Sequence, residues 1–489
     1  MRRVWLLPVA LVVVVAGMED AAAHSGGTDE YGCHVDSRTG LEHCHDGGTA
    51  SSGGCGCSGC SSRPDPLPRC SAGQRRCASY CVDLNTDRLN CGECFHVCGA
   101  PLTCVGATCT APPLDAALEL DAGLEVDSSA PSDAGTGRIA SLSMDHQACA
   151  VLADGRLYCW GRNDWGQIGD GTQINRLTPV RVAVDGIAVS TGRMHTCALV
   201  SSQEVACWGD NTSGQLGAPA AVAHSLIPRH VDGLPARIVE VAAAGFNTCA
   251  LSVDGNLFCW GRNLYGEVGD GTGGVGQERR VPSFTLAGVR RVFPGLTHFC
   301  AELEVGPIVC WGRNDYGQLG DGTLDDRYLP THLAVLGGRR ALDLSLPGIF
   351  FGCALLEGGL VGCWGQESML GSGSEGTGIS AALVLVEATA GGVVDDAERV
   401  SVGGSSACVL RPDSLSCWNN RIGSGSSSRS SRATVVPGGR PENVVVGTLS
   451  TCAVYSGELF CWGDNEWGQL GVGDATERLS PAPVAPFPD

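Results

Sequence analysis

Cysteine is the residue type with the most chemistry in this sequence, and fourteen of the cysteines fall into seven short pairs. In each pair, eight or nine residues separate the two cysteines, and tryptophan directly follows the second one. The pairs are Cys149 with Cys159, Cys197 with Cys207, Cys249 with Cys259, Cys300 with Cys310, Cys353 with Cys363, Cys408 with Cys417, and Cys452 with Cys461. The tryptophans are Trp160, Trp208, Trp260, Trp311, Trp364, Trp418 and Trp462. First cysteines recur every 44 to 55 residues, a period typical of solenoids, propellers and arrays.

The residues inside each pair predict a β-hairpin. In the first repeat, Asp154-Gly155 separates two apolar runs, which is a strong hairpin signal. A three-residue loop there places the two cysteines directly opposite each other, and a two-residue turn at Ser456-Gly457 does the same in the seventh repeat. Opposed Cβ atoms lie about 4.5–5.5 Å apart, at the edge of disulfide reach. We therefore predict one disulfide in each hairpin. The alternative is fourteen buried free thiols, since cysteine packs well in cores.

Glycine-rich runs follow five of the tryptophans, and they carry a resemblance to a known family. They read "WGRNDWGQIGDGT" (160–172), "WGDNTSGQLG" (208–217), "WGRNLYGEVGDGT" (260–272), "WGRNDYGQLGDGT" (311–323) and "WGDNEWGQLG" (462–471). Residues 138–489 thereby resemble the regulator-of-chromosome-condensation repeat family, whose members form seven-bladed β-propellers. The resemblance implies an all-β fold in which each tryptophan packs between neighbouring blades. Two copies depart from the pattern, "WGQESMLGSGS" and "WNNRIGSGS", which predicts shorter or looser outer turns in blades five and six.

Charge decides which of the family's functions suit this chain. The eukaryotic namesake of the family is a guanine-nucleotide exchange factor that binds chromatin. This chain has a net charge of −20 and no lysine, and its repeat region has 24 arginines against 35 acidic residues. Acidic chains bind nucleic acids and anionic membranes poorly, so we expect no nucleic-acid partner. A secreted bacterial propeller of the family instead inhibits β-lactamases through one face. The resemblance therefore implies an exported bacterial member that binds another protein.

One position in the glycine-rich runs is a candidate for such a binding face. It precedes Gly-Gln or Gly-Glu, and it carries Trp165, Tyr265, Tyr316 and Trp467, with Ser213 in the second repeat. Aromatic anchors are typical of binding hot spots. The alternative is that these side chains fill gaps between blades.

No catalytic residues are predicted. The sequence contains no G-x-S-x-G, no P-loop and no H-E-x-x-H motif. An enzyme of unknown type, or an activity like nucleotide exchange, is a third possibility that export and acidity disfavour.

The first 23 residues predict export. Two arginines, an apolar run and Ala21-Ala22-Ala23 have the order of a secretory signal peptide. No later segment has about 20 apolar residues, so no membrane span is expected. The predicted location is secreted, periplasmic or cell-surface, where a chain with 27 cysteines can form disulfides.

Residues 24–50 form a module rich in histidine and cysteine. Thiolate and imidazole suit zinc or copper, and a metal-binding or metal-sensing surface protein is the second functional hypothesis. The candidate ligands are His24, Cys33, His34, His43, Cys44 and His45. The alternative is a Cys33–Cys44 disulfide with solvent-facing histidines.

Two further segments precede the propeller. Residues 51–109 are dense in cysteine and poor in apolar residues, which predicts a small disulfide-stapled module. Residues 110–137 carry six acidic and no basic residues, which predicts a disordered, self-repelling linker. We therefore expect an exported scaffold that binds a protein through one face of the propeller at 138–489.

Overall fold

A computed structural model describes residues 138–348 and 350–488, together with the backbone of six short strands nearer the N-terminus. The chain divides into two units, Met1–Val82 and Asp83–Asp489. The six short strands pair as antiparallel β1–β2, β3–β4 and β5–β6. They are β1 (Cys33–Val35), β2 (Glu42–Cys44), β3 (Arg75–Cys77), β4 (Tyr80–Val82), β5 (Thr103–Val105) and β6 (Thr108–Thr110).

Residues 138–488 form seven antiparallel blades, which confirms the predicted all-β propeller. Blades 1 and 2 share one long strand, β10, whose pairing passes from β9 to β11 at Asp185-Gly186. Blade 1 contains β7 (Ile139–Met144), β8 (Gln147–Leu152), β9 (Arg156–Gly161) and the first part of β10 (Arg176–Thr191). Blade 2 continues with β11 (His195–Val200), β12 (Val205–Asp210) and β13 (His224–His230).

The other five blades each have four strands of their own. Blade 3 has β14 (Ile238–Ala244), β15 (Asn247–Ser252), β16 (Leu257–Gly261) and β17 (Arg279–Leu286). Blade 4 has β18 (Val289–Pro294), β19 (His298–Leu303), β20 (Ile308–Gly312) and β21 (Arg327–His332). Blade 5 has β22 (Ala341–Ser345), β23 (Phe351–Leu356), β24 (Val361–Gln366) and β25 (Ile379–Leu385). Blade 6 has β26 (Arg399–Val402), β27 (Ser406–Leu410), β28 (Leu415–Asn419) and β29 (Ser430–Val436). Blade 7 has β30 (Asn443–Val446), β31 (Ser450–Tyr455), β32 (Glu458–Gly463) and β33 (Arg478–Pro483). Two short 3-10 helices, Ala334–Leu336 and Glu367–Met369, lie in the connections.

The middle two strands of every blade have the register that the turns predict. Gly155 has a φ of +88°, and Cys149 lies directly opposite Cys159. In blade 7 the two-residue turn has positive φ at both Ser456 and Gly457. The turn is one residue shorter where the cysteine spacing is one residue shorter, so the cysteine register is the same in all seven blades.

Each cysteine pair forms a disulfide between these middle strands, with Cα atoms 4.0–4.1 Å apart. The bonds join Cys149 to Cys159, Cys197 to Cys207, Cys249 to Cys259, Cys300 to Cys310, Cys353 to Cys363, Cys408 to Cys417, and Cys452 to Cys461. This is the pairing that the hairpin register predicts. All fourteen cysteines are at most 1% exposed. The disulfides therefore lie inside the blades, where a reductant reaches them only when a blade opens.

The tryptophans hold adjacent blades together, as the family resemblance implies. Trp208 of blade 2 is fully buried, and its Nε1 donates to the backbone oxygen of Gln167 in blade 1, 2.9 Å away. Gly169 of the same blade 1 loop has a φ of +83°, and a Cβ there would lie 2.6 Å from Trp208 Nε1. This position therefore requires glycine for two reasons: its backbone is left-handed, and a side chain would clash with the indole.

This contact recurs at every seam between blades. The glycines that face an indole of the next blade are Gly169, Gly217, Gly269, Gly320, Gly371, Gly423 and Gly471. The indole donates to a backbone oxygen in six cases. The exception is Trp462 Nε1, which is buried and has no hydrogen-bond partner in the described part of the chain. Trp462 faces the short loop of blade 6, whose sequence departs from the repeat pattern, and its indole N–H is left unpaired. The loop of blade 5 also departs from the pattern, but there the backbone oxygen of Met369 accepts from Trp418.

The ring closes between blades 7 and 1. Trp160 Nε1 donates to the backbone oxygen of Gln469 over 3.0 Å. The segment after β33 also reaches blade 1, where Tyr158 donates to the backbone oxygen of Pro488 over 2.6 Å and Phe487 packs beside the Tyr158 ring. Each blade is thus built from one continuous stretch of chain, and side-chain packing closes the circle.

Side chains bridge the innermost strands of neighbouring blades. Backbone N–H groups of one blade donate to serine hydroxyls of the blade before it, as Thr191 does to Ser143 over 3.0 Å and Val446 does to Ser401 over 3.0 Å. Between blades 3 and 4 the acceptor is Glu240, which accepts from the Val292 N–H over 3.3 Å. Burial raises the pKa of Glu240 to about 6, against the opposing effects of that hydrogen bond and of Arg291.

The seam glycines yield a test within a single loop. Gly320 and Gly322 have φ values of +60° and +85°, but only at Gly320 would a Cβ meet side chains, 2.6 Å from Leu333 and 3.0 Å from Trp364. Gly322→Ala should cost about 1–2 kcal/mol of unfolding free energy from the left-handed backbone. Gly320→Ala should cost about 1–3 kcal/mol more because of overpacking. Chemical denaturation of the two variants measures the difference, and equal losses would contradict the packing account.

The buried disulfides lead to a second prediction. A reductant added to the native protein should leave all seven pairs oxidised, since every sulfur is shielded. Unfolding in denaturant with the same reductant should expose the fourteen propeller thiols, counted separately from the other thirteen cysteines of the chain, and the refolded, reduced protein should melt lower. Closing loops of this length contributes about 2–3 kcal/mol each. Thiol alkylation and mass spectrometry check the count, and rapid native reduction would contradict it.

Glu240 leads to a pH prediction. Its folded pKa lies above its ordinary value, so the unfolded chain loses the proton first as pH rises. The stability contribution of the neutral carboxyl is therefore present at low pH and is lost as pH rises through about 4.5 to 6. Glu240→Gln keeps an acceptor for Val292 and should stabilise the protein above that window by about 2 kcal/mol. Melting curves from pH 4 to 8 measure this, with the exposed Glu466→Gln as a control that should follow the parent; a gain for Glu240→Gln at pH 4 as large as that at pH 8 would contradict the burial account.

Candidate functional site

One face of the propeller carries the glycine-rich loops. Because the strands alternate in direction, the turn between the first two strands of a blade and the loop after its third strand lie at the same end. In blade 1 these are the turn at Asp145-His146 and the loop 162–175. We call this end of the seven blades the loop face.

Two side chains set the shape of each regular loop. In blade 1, Asn163 Oδ1 accepts from the N–H of Ile168, and Gln167 Oε1 accepts from the N–H of Trp165, both over 2.9 Å. The equivalent asparagines are Asn211, Asn263, Asn314 and Asn465. The equivalents of Gln167 are Gln215, Glu267, Gln318 and Gln469. The same two bonds therefore fix the backbone on both sides of the aromatic position.

One recurring aspartate in each of four loops is already paired with an arginine. Asp321 accepts from Arg327 Nε over 2.6 Å and from the Thr323 hydroxyl over 2.9 Å. Burial raises the pKa of Asp321, but the bonds from Thr323 and Arg327 outweigh it and lower the pKa overall. Asp170, Asp270 and Asp474 have the same arrangement with Arg176, Arg279 and Arg478. These carboxylates stiffen the loops and are not free for a ligand.

The four predicted aromatics lie on the loop face, at the seams between blades. Trp165, Tyr265, Tyr316 and Trp467 are all half-buried. Each contacts the next blade around the ring, as Trp467 of blade 7 does with His146 of blade 1, where the ring centroids are 4.9 Å apart. Tyr316 of blade 4 packs edge-on against Phe350 of blade 5 at 4.8 Å. Each of these side chains is thus partly packed against the next blade and partly exposed to solvent.

Arginines share this surface with the aromatics. The guanidinium of Arg313 lies 5.1 Å from the centroid of Tyr265 and 5.7 Å from that of Tyr316, so it joins the two rings of blades 3 and 4. Arg162 lies 4.9 Å from the centroid of Trp467 and so joins blades 1 and 7. We call Trp165, Tyr265, Tyr316, Trp467 and these two arginines the aromatic rim.

Sequence reasoning did not select the arginines, although their signal was present. Arg162, Arg262 and Arg313 all follow Trp-Gly in their repeats. A cation near the face of an aromatic ring contributes about 0.5–1 kcal/mol at exposed sites. The repeated Trp-Gly-Arg could therefore have predicted the contact, but not which ring each arginine meets.

The predicted metal ligands lie outside the part of the chain whose side chains are described. His24 and His45 are not described at all. Strands β1 and β2 place Cys33 opposite Cys44 and His34 opposite His43 in backbone register. Within the described residues, no group of three or more histidine, cysteine or acidic residues is placed to hold a metal ion. Zinc or copper binding by the N-terminal module stays a prediction.

Comparisons with known proteins agree with the repeat architecture. Two family models, both described as the regulator of chromosome condensation (RCC1) repeat, match this chain. The first matches residues 154–199, 204–251, 306–346 and 456–489, and the second matches 187–215 and 238–267. The ultraviolet-B receptor UVR8 of Arabidopsis thaliana is 32% identical over 370 residues, which cover 72% of this chain and 71% of the receptor. The chain belongs to the RCC1 repeat family.

Other relatives and solved structures share the RCC1 propeller. The human E3 ubiquitin-protein ligase HERC2 is 29% identical over 274 residues, which span 53% of this chain but only 6% of the ligase. The crystal structure of human WBSCR16 has a TM-score of 0.61 at 20% identity and covers 68% of this chain and 94% of that one. Yeast RCC1 (Prp20) bound to Kap60 has a TM-score of 0.58 at 18% identity and covers 72% and 85%. These structures support the propeller fold.

In the described residues, no helix has the length and apolar character needed to span a bilayer.

Truncating the rim aromatics to alanine should lower the free energy of unfolding by different amounts. Trp467 contacts both His146 and Arg162 at 4.9 Å, whereas the ring contact of Trp165 is with His224 at 6.5 Å. Because a fully buried aromatic costs about 3–5 kcal/mol on truncation, half-buried Trp467→Ala should cost about 2 kcal/mol and Trp165→Ala about 1 kcal/mol. Urea denaturation of both variants compares them. A loss above about 3 kcal/mol in both would make the rim a packing feature only.

Proposed function

We propose that this RCC1 propeller is an exported, non-catalytic scaffold that binds a protein partner through the aromatic rim. The observation that carries the proposal is Arg313 between Tyr265 and Tyr316. These three groups come from two blades and are half-buried, so each keeps surface for a partner while its neighbours hold it in place. Aromatic and arginine side chains are the types enriched at interface hot spots.

The stiffness of the loops supports the same proposal. In the blade 4 loop, which carries Tyr316 and Arg313, the asparagine, glutamine and aspartate bonds fix the backbone before any partner arrives. A preorganised surface loses less conformational entropy on binding, and this raises affinity for a given set of contacts. In a solved structure, yeast RCC1 (Prp20) is bound to the protein Kap60, which is a precedent for a protein that contains this fold binding another protein. The identity of a partner does not transfer with the fold.

Seven buried disulfides support the exported location. Structural disulfides persist in oxidising compartments and are rare in the cytosol. Each blade holds one of them in its core, so the whole propeller depends on an oxidising environment. This agrees with the apolar N-terminal segment, which we interpret as an export signal.

The full-length chain, purified from its own host with crosslinked partners, tests the proposal. Tyr265→Ala and Tyr316→Ala should reduce the recovery of a specific crosslinked protein at least tenfold, since a hot-spot residue contributes about 2 kcal/mol or more. Phe284→Ala is the matched control, because Phe284 is an exposed aromatic on outer strand β17 and not on the rim.

Recovery that is unchanged in both tyrosine variants, with melting temperatures near the parent, would overturn the rim as the binding surface. Recovery lost equally in Phe284→Ala would assign binding to the outer strands instead.

A further inference from the structure

A cavity of about 130 Å³ lies on the propeller axis, just below the loop face. Residues near the ends of the innermost strands of all seven blades line it, among them Ser143, Thr191, Ala244, Pro347 and Val402. Its walls are mainly apolar, with hydroxyl groups between them. Asp145 is the one charged residue among those that line it.

The carboxylate of Asp145 is buried and accepts one hydrogen bond in the part of the chain that the structure describes. Asp145 is only 7% exposed. It accepts a hydrogen bond from the Thr448 hydroxyl, and His146 Nε2 lies 3.9 Å away. In the described part of the chain, no arginine lies within ion-pair distance of it. A buried carboxylate is costly unless it is paired and hydrogen-bonded.

The basic side chains near Asp145 are one histidine and two arginines, and neither arginine forms an ion pair with it within the described residues. His146 is buried against the Trp467 ring, and burial lowers its pKa, with Asp145 opposing and Arg193 and Arg162 adding to the effect. Burial therefore disfavours the protonated imidazole, which is the form that would balance the carboxylate. Arg162 pairs with Asp164 over 2.7 Å. Arg193 has a buried Nε without a hydrogen-bond partner among the described residues.

We propose that the axial cavity binds an organic monocation, with an alkyl stem against the apolar wall and its guanidinium or ammonium head at Asp145. Arginine and lysine side chains have this form, with an apolar stem and a charged end. The hydroxyls of Ser143 and Thr191, which are hydrogen-bonded to each other over 2.9 Å, present further oxygen acceptors in the wall. Ligand sites are typically lined by apolar groups with a few polar groups that fix orientation, and this smaller cavity has a lining of that kind.

Methionine NMR locates the binding in the full-length protein. The chain has five methionines, and Met144 lines the cavity, whereas Met369 lies in the packed core between blades 5 and 6. The protein is labelled at the methionine methyl groups, Met144→Leu assigns the signal, and n-butylguanidinium is titrated. The Met144 signal should shift and saturate while that of Met369 stays in place. The neutral isostere n-butylurea should leave both signals unchanged.

A peptide arm distinguishes a free solute from a projecting side chain. Blocked Gly-Arg-Gly is compared with the same peptide carrying neutral citrulline. Tighter binding of the arginine peptide than of n-butylguanidinium assigns the site to a side chain of a partner, and the reverse assigns it to a free cation. Both results support the cation site.

Asp145→Asn is the decisive variant, since it removes the charge and keeps an acceptor for Thr448. It should weaken n-butylguanidinium binding at least tenfold, whereas Asp325→Asn, in an exposed part of a blade 4 loop, should bind as the parent does. If Asp145→Asn does not fold, the comparison of n-butylguanidinium with n-butylurea on the parent still decides. No Met144 shift with either cation, equal shifts with the neutral isosteres, or full binding by folded Asp145→Asn would overturn the proposal. The rim proposal is independent of these outcomes, because it is tested with different residues.

Discussion

The structure depends on one contact repeated at every seam, in which an indole of one blade lies against a glycine in the loop of the blade before it. The contact restricts the residue at this position, because the glycine has a left-handed backbone at every seam, and at four seams a Cβ would lie less than 3.0 Å from the indole. In six of the seven seams the indole also donates to a backbone oxygen of that loop. Each blade thus provides the packing surface for the indole of the next blade and, at six seams, the acceptor for its N–H group. A change at one seam must be absorbed by the whole ring, since the blades close on themselves.

The other regularities serve this contact. The disulfide of each blade joins the strand that carries the tryptophan to the strand beside it, as Cys159 before Trp160 shows. In the five regular loops, the asparagine and the glutamine or glutamate hold the backbone that leads to the glycine. Near the axis, serine hydroxyls accept hydrogen bonds from backbone N–H groups of the innermost strands of the next blade. Blade 6 shows what happens when the loop is short, since Trp462 keeps its packing but loses its hydrogen bond.

The seam contacts make the loop face rigid, and this rigidity determines how its side chains are arranged. Loops held by seam contacts keep aromatic and arginine side chains in defined positions. The same seams bring seven chain segments to the axis, where Asp145 and the Thr448 hydroxyl meet although they are 303 residues apart. Both proposed surfaces therefore exist because the ring is closed, and neither belongs to a single blade.

The sequence by itself determined the blade. The cysteine register, the turn at Asp154-Gly155 and the number of repeats follow from local spacing, because side-chain alternation and turn chemistry operate over a few residues. The position of the rim aromatics could be selected for the same reason, since it recurs in phase with the hairpin. Only the tertiary structure decided how the ring closes, through Trp160 and Gln469, 309 residues apart, and which ring each arginine meets. It alone also revealed Glu240 as a bridge between blades and Asp145 as the charge on the axis. These contacts join one blade to another, whereas the hydrophobic and turn patterns of the sequence act within a blade, so those patterns carry no signal for them.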